Sequence, residues 1–291
     1  MQLPDNIKKS VVFLAMKNPV GGYVLGGTAF IISYPSKIDG LAFQFLVTAR
    51  HNIEKFLENG LKEFSLRVNC TDGTAKWVDM PLDGWIVNEA KACDLALKSF
   101  SLGDNLDWDH YHIPYDAFVD STFIERWHVQ EGDEVFSVGL YKRHEGTEKN
   151  IPIVRVGNIA SMEQPDIPTK FGATRAYLIE SRSIAGLSGS PVFVNLGAFR
   201  AQRTDVDKPA ITLNLPMGGN SIIFGLLGIM HGHFDIKDED SNKSVNEGIG
   251  VVIPAMRILE VLAAPFFQDQ MRKRENEMLK RKEVTMDTPF P

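Results

Sequence analysis

Short apolar or alternating runs, separated by turn residues, follow one another along most of this 291-residue chain. The pattern is typical of antiparallel β-structure, because alternate side chains of a strand point to opposite faces of its sheet. Helices are predicted only at 52–59 and at 254–264, the second with Pro254 at its first position. The candidate strands are 10–16, 23–33, 43–49, 64–69, 94–100, 133–140, 151–160, 176–181, 191–195 and 221–230. The sequence therefore predicts an all-β body that is closed by a C-terminal helix.

A polar stretch at 101–121 separates these strands into two groups of similar size. Its clustered Asp, Asn, Gly and Pro residues predict a connection that runs over the surface. We therefore expect two β units, at 1–110 and at 111–265. The remaining segment, 266–291, is highly charged and has a helical composition. It is interpreted either as a solvated helix that frays or as a docking segment for a protein partner or activator.

Composition excludes several classes of function. The net charge of −6 gives no basic surplus, so nucleic-acid binding is not suggested. The apolar run at 11–16 is too short to span a membrane and has no small-residue cleavage site after it. Cys70 and Cys93 are the only cysteines, which is too few for a disulfide framework and fits a reducing compartment. These features predict a cytoplasmic protein with no membrane contact.

The stretch "SIAGLSGSPVF" at 183–193 places a serine between glycines immediately before an apolar run. One interpretation is a tight turn, since Gly permits unusual backbone angles and Pro fixes φ. The other is that Ser188 is a nucleophile. A serine hydroxyl is a weak nucleophile until a general base removes its proton, so this second interpretation requires a base elsewhere in the chain.

His51 and Asp94 are the best candidates for the groups that would activate a serine. His51 follows an apolar strand in "FLVTARHN", at a small-residue turn, and imidazole is the usual base near neutral pH. Asp94 opens the apolar strand "DLALKSF", where an unpaired carboxylate would be costly, although an edge Asp facing water is the alternative. Such a carboxylate would hold the imidazole in one tautomer.

Together these segments resemble the motifs of trypsin-like serine peptidases with the chymotrypsin fold. "TARH" resembles the family's Thr-Ala-Ala-His motif, "CDLAL" its Asp-Ile-Ala-Leu motif and "GLSGSP" its Gly-Asx-Ser-Gly-Gly-Pro motif. "GIGVVIP" at 248–254 is similar to a pocket strand of bacterial HtrA-type members. The likeness covers roughly 10–265, and no PDZ-like segment follows, so the resemblance is to an HtrA-like peptidase unit without a PDZ domain.

The resemblance implies two packed antiparallel β-barrels with an active site in the cleft between them. It implies a serine endopeptidase that acts through an acyl-enzyme on a protein or peptide substrate, with no cofactor and no metal. His51 would be the base, Asp94 its orienting carboxylate and Ser188 the nucleophile. The backbone N–H groups of Gly186 and Ser188 would form the oxyanion hole.

Two positions depart from the family pattern. Leu187 stands where secreted members carry an Asp that pairs with a newly cut N-terminus, so activation by that route is not expected. Ser190 replaces the usual second glycine. A catalytically silent or partner-activated binding module is the alternative function. An α/β-hydrolase would need Gly at position 190 and helices between parallel strands, and neither is found in the sequence.

The resemblance places substrate-binding residues on both sides of the nucleophile. Arg182 falls at the base of the pocket, where it would favour an acidic side chain at the cleaved position; alternatively it faces solvent and the pocket prefers small aliphatic residues. Ala185 falls in the pocket wall. His231, Gly232 and His233 would belong to the strand that pairs with extended substrate. The two histidines alternate on one strand, but no partner with metal-ligand spacing supports a metal site.

Overall fold

The computed structural model describes residues 3–87, 93–101, 107–181, 186–197, 200, 223–237 and 244–286. Its first antiparallel sheet has the strand order β5–β4–β1–β2–β3–β7–β6, and β8 pairs with β2 in parallel. The strands are β1 (Val11–Lys17), β2 (Tyr23–Pro35), β3 (Ala42–Thr48), β4 (Glu63–Asn69), β5 (Ala75–Pro81), β6 (Trp85–Val87), β7 (Ala96–Ser99) and β8 (Ile113–Pro114).

The second sheet is a closed six-stranded barrel in the order β10–β11–β14–β13–β12–β9. Its strands are β9 (Glu134–Gly139), β10 (Ile153–Thr169), β11 (Gly172–Glu180), β12 (Pro191–Gly197), β13 (Ile223–Lys237) and β14 (Ser244–Pro254). The helices are α1 (Asp5–Lys9), α2 (Arg50–Glu58), α3 (Ser121–Trp127), α4 (Met256–Leu262) and α5 (Pro265–Met286). The predicted all-β architecture, with two packed sheets and a C-terminal helix, is confirmed. The domain boundaries stay predictions.

The two sheets share one apolar core. A single cluster of buried residues includes Phe13 and Phe30 of the first sheet together with Phe136 and Phe193 of the barrel. Each sheet also has a smaller cluster of its own. Because large aromatic rings of both sheets pack into the same cluster, the sheets are held face to face along a common boundary.

Helix α5 packs against the first sheet through the early part of its length. Phe267 is fully buried and meets Phe45 edge to face, with ring centroids 5.3 Å apart. Further along, Ser99 Oγ donates to Gln270 Oε1 at 2.6 Å, and Ser36 Oγ donates to Glu275 Oε1 at 2.7 Å. These contacts anchor the helix as far as Glu275. A docking role for 266–291 stays a prediction.

Several elements differ from the sequence-based expectation. Strands β5, β6 and β8 were not predicted: β5 and β6 are half-exposed, which weakens their apolar alternation, and β8 has only two residues. Helix α3 begins where the surface connection was predicted to end. It is capped by the Asp120 side chain, which accepts from the Phe123 N–H at 2.7 Å. No helix in the described part of the chain combines the length and apolarity that crossing a bilayer requires.

Candidate active site

His51 lies in the first turn of α2, not at a strand end as the sequence suggested. Strand β3 ends at Thr48 and the helix begins at Arg50, with Ala49 as its N-terminal cap. The His51 side chain is 6% exposed, and its Nδ1 lies 2.6 Å from Oδ2 of Asp94. The His51 backbone N–H donates to Oδ1 of the same carboxylate at 2.9 Å. One carboxylate therefore fixes both the ring and the backbone of His51.

Asp94 reaches His51 because their strands are neighbours. In the antiparallel pair of β3 and β7, Thr48 stands opposite Ala96, so the residues just after β3 and just before β7 meet at one end of the sheet. Asp94 is 1% exposed. Burial by itself raises the pKa of this carboxyl, but hydrogen bonds from His231 and His51 outweigh it and hold the pKa below its usual range. Asp94 is therefore a buried anion.

The pKa of His51 is lowered from its ordinary value of 6.5. Burial is the main cause, because it penalises the charged imidazolium, and the nearby Lys170 and Lys55 lower the pKa further. The hydrogen bond and charge of Asp94 oppose these effects without cancelling them. At neutral pH the ring is thus uncharged. With Nδ1–H donated to Asp94, the Nε2 lone pair is available to accept a proton.

His231 is a second imidazole on the same carboxylate. Its Nδ1 lies 2.6 Å from Asp94 Oδ2, and the His51 and His231 rings are nearly perpendicular, with centroids 6.1 Å apart. The sequence placed His231 on a strand that pairs with substrate and did not link it to Asp94. The one local signal was a histidine inside the apolar run "LLGIMHG", which indicates a polar partner in the core.

His51, Asp94 and His231 also form a donor set that could hold a metal ion, with ligand atoms within 4.8 Å of one another. Both Nδ1–Oδ2 separations, however, are 2.6 Å. Donor atoms of a tetrahedral zinc site with bonds of about 2.0 Å lie roughly 3.3 Å apart. The observed separations are those of hydrogen bonds, so a metal would have to displace both Nδ1 protons and spread the three groups.

The Ser188 loop is fastened to the first sheet and to α2 through its backbone. The Ser188 carbonyl accepts from Asn52 Nδ2 at 2.9 Å and from the Thr28 backbone N–H at 3.2 Å. Asn52 follows His51 in α2, and its Nδ2 also lies 3.1 Å from Thr48 Oγ1. The element that carries His51 therefore also positions the backbone of Ser188. Sequence reasoning missed Asn52, which carried no motif signal of its own.

Thr28 connects the glycine before the serine to the first sheet. Its Oγ1 donates to the Gly186 carbonyl at 2.7 Å and accepts from the Leu140 backbone N–H at 2.9 Å. Gly186 has φ of +107°, and a Cβ there would lie 2.8 Å from the Leu140 carbonyl oxygen. Only glycine satisfies both the conformation and the close approach.

Gly189 is held even more closely against the first sheet. It has φ of +85°, and a Cβ would lie 2.3 Å from the Thr28 carbonyl oxygen and 2.9 Å from the Ala49 backbone nitrogen. The glycines of "GLSGSP" therefore allow the backbone of the Ser188 loop to contact the end of β3, just before His51. This is the physical reason for the glycine-rich approach to strand β12.

Ser188 itself is half-buried. Among the described residues, no hydrogen bond joins Ser188 Oγ to the His51 ring, and none engages the backbone N–H of Gly186 or Ser188. Leu187 is fully buried in the barrel cluster. The hydroxyl of Ser190 is buried and has no hydrogen-bond partner in the described part of the chain.

The expected substrate residues are only partly described. Arg182 and Ala185 lie outside the described residues. Gly232 and His233 lie on β13 opposite Val251 and Gly250 of β14. Strand β12 pairs with β13 only as far as Ile229, so within the described residues the other edge of β13 carries no strand beyond that point. This edge is where an extended chain could add.

Phe171, which the sequence did not single out, covers the two histidines. It lies in the turn between β10 and β11, where β10 continues to Thr169, well past its predicted end. The Phe171 ring is 5.7 Å from the His51 ring and 5.5 Å from the His231 ring, measured between centroids. Lys170 Nζ lies 4.8 Å from the centroid of the same ring. The tip of this hairpin thus forms one wall of the site.

Comparison with known proteins finds similarity only at the level of solved structures. No protein-family model matches the chain, and no curated protein matches it. The protease domain of MamO from Magnetospirillum magneticum, in its apo form, is 17% identical, with a TM-score of 0.49 over 88% of this chain and 96% of that one. Deg5 is 16% identical, with a TM-score of 0.48 over 88% of each chain.

Proposed function

We propose that the protein is a serine endopeptidase in which Ser188 is the nucleophile and His51 the general base. The observation that carries the proposal is the pairing of His51 with the buried Asp94 carboxylate, next to a serine loop that Asn52 holds to the same helix. A neutral imidazole held by a buried carboxylate is the arrangement that activates a serine hydroxyl. Extended protein or peptide segments are the proposed substrates, and the cytoplasm the proposed location.

The proposed reaction has two steps. Ser188 Oγ attacks the carbonyl carbon while its proton passes to His51 Nε2, and the backbone N–H groups of Gly186 and Ser188 stabilise the oxyanion. The imidazolium then protonates the leaving amine, which gives an acyl-enzyme on Ser188. In the second step, water gives a proton to His51 Nε2 as its oxygen attacks the acyl carbonyl carbon. The bond to Ser188 Oγ then breaks, the imidazolium returns the proton to Oγ, and the acyl group leaves as a carboxylic acid. Asp94 stays ionised and holds the imidazolium by hydrogen bonding and charge.

His231 is proposed as a positioning residue. Its N–H group on Asp94 Oδ2 gives the carboxylate a third donor besides the two from His51, which limits rotation of the carboxylate away from His51. The alternative function, a silent or partner-activated module, is favoured by one observation: Ser188 Oγ is not hydrogen-bonded to His51 in the described residues. Catalytic hydrogen bonds often tighten only when substrate binds, so this observation does not decide between the two.

Reaction with a fluorophosphonate probe tests the proposed nucleophile. We expect the wild-type protein to be phosphonylated and Ser188→Ala to be inert, because the probe reacts only with an activated hydroxyl. Ser190→Ala is the matched control and should label normally, since the Ser190 hydroxyl is buried and has no hydrogen-bond partner among the described residues. Labelling of Ser188→Ala at the wild-type rate would exclude Ser188, and a wild type that labels only after a protein activator is added would support the alternative.

The lowered pKa of His51 sets the acid limb of the pH profile. A general base must be neutral, so kcat/KM falls only as pH drops through the pKa of His51, and the midpoint should lie below 6.5. Lys170→Gln removes a charge that lowers this pKa, so its midpoint should move to higher pH. Lys76→Gln, a change on the exposed face of β5, should leave the midpoint in place. An acid limb well above 6.5 would contradict an uncharged His51 at neutral pH.

A further inference from the structure

Lys55 and Lys170 lie near His51, the candidate base, and belong to two different elements. Lys55 follows His51 by four residues in α2, a spacing that puts both side chains on the same helix face. Lys170 lies at the tip of the β10–β11 hairpin, with its ammonium over the ring of Phe171, which in turn packs on His51. Both lysines are exposed. Two exposed cations therefore lie near His51.

Lys142 adds a third cation, next to Gly186 in the Ser188 loop. It belongs to the loop after β9, and its Cγ lies 3.1 Å from the point where Gly186 would carry a Cβ. The aliphatic part of Lys142 therefore runs along the proposed oxyanion loop, while its ammonium is free to reach solvent. We refer to Lys55, Lys142 and Lys170 as the rim lysines.

In the part of the chain that the structure describes, no acidic group forms an ion pair with the rim lysines. The ion pairs formed by the described residues include none of the three. Two acids close to His51 are engaged by other groups: Asp94 is buried between two imidazoles, and Glu54 pairs with Arg50 at 2.5 Å. The pKa values of Lys142 and His51 are lowered by burial first and then by neighbouring lysines, which agrees with mutual repulsion. Three lysine side chains that have no ion-pair partner among the described residues thus lie around the candidate site. The protein as a whole has a net charge of −6.

We propose that the rim lysines select acidic peptide segments, whose Asp or Glu side chains lie close to the bond to be cut. The inference rests on the proposed peptidase function and uses residues separate from Arg182. Clefts lined by one sign of charge attract ligands of the opposite sign and speed their association. A peptide is favoured over a nucleic acid because the three cations lie around His51 and Gly186 and do not follow an extended basic surface.

Peptide binding to Ser188→Ala separates this inference from catalysis. Three fluorescent peptides of one length would be compared by anisotropy, with Glu, Gln or Lys at the positions that flank a common centre. We expect the Glu peptide to bind about 10-fold or more tightly than the Gln peptide in dilute salt, and the Lys peptide most weakly. Because the rim lysines are exposed, the difference should shrink in about 0.5 M salt.

Charge reversal at all three rim lysines, in the Ser188→Ala background, should invert the order of the Glu and Lys peptides. The matched control reverses three other exposed lysines, Lys62, Lys76 and Lys273, and should keep the original order. Equal binding of all three peptides, or a single-stranded oligothymidylate that binds more tightly than the Glu peptide, would overturn the proposal. Fluorophosphonate labelling of the wild type reports on the peptidase function separately, so either idea can fail alone.

Discussion

Replacing Ser188 with alanine is expected to lower kcat for peptide hydrolysis on the order of 10⁶-fold, the effect of losing the nucleophile of a serine peptidase. The substitution removes only Oγ, which makes no hydrogen bond to the described residues, while the Ser188 carbonyl keeps its bonds to Asn52 and Thr28. The thermal midpoint should therefore stay near that of the wild type. Cleavage of an unfolded protein, followed by mass spectrometry of the products, measures the effect.

Ser190→Ala is the matched control for this experiment. Its hydroxyl is buried without a partner in the described residues, so removal costs no hydrogen bond and should preserve cleavage. If Ser190→Ala destroyed activity while Ser188→Ala retained it, the assignment of the nucleophile would be wrong.

Replacing Asp94 with asparagine should lower kcat by about 10⁴-fold. This is the loss that follows when the Asp of a Ser-His-Asp triad is replaced by Asn. The reason here is specific. Asp94 accepts from the His51 backbone through Oδ1 and from both imidazoles through Oδ2, whereas an asparagine offers one oxygen and an NH₂ group. With the NH₂ group at the Oδ2 position, both imidazoles must present an unprotonated Nδ1, and the His51 Nε2 lone pair is lost. With the NH₂ group at the Oδ1 position, it faces the His51 backbone N–H, which then loses its acceptor.

Asp79→Asn provides the matched control for charge. Asp79 accepts from Ser65 at 2.7 Å and pairs with Lys17 on the first sheet, away from His51. It should keep near wild-type kcat. If Asp94→Asn retained activity within about 10-fold of wild type, Asp94 would not be the group that orients His51.

The fold class and the contact between His51 and Asp94 could be predicted because their sequence signals are local. Strand β1 is an uninterrupted apolar run, and His51 and Asp94 each sit at the end of an apolar segment with a recognisable motif. Asp94 could be placed near His51 since the residues that end one strand and begin its neighbour share an edge. The helical position of His51 was missed because "TARH" carries no capping signal: Ala49 makes no side-chain cap.

The rest of the site depends on contacts between distant parts of the chain. Asn52 bonds a carbonyl 136 residues away, and His231 reaches Asp94 across 137 residues. No periodicity or motif encodes such pairs. Phe171 lies at the tip of the long β10–β11 hairpin. Register shifts in this hairpin interrupt the alternation that predicts strands, so the sequence did not indicate the position of Phe171. The sequence thus predicted the pairing of His51 with Asp94 better than the surroundings of that pair.

The most direct test of the mechanism is detection of the acyl-enzyme. The wild-type protein would be mixed with an activated ester, quenched in acid within milliseconds to seconds, digested, and searched by mass spectrometry for the added acyl group. We predict an acyl adduct on Ser188 that forms in a burst, decays with turnover, and is lost in His51→Ala. Turnover with the adduct on any residue other than Ser188, or adduct formation that does not depend on His51, would contradict the proposed mechanism.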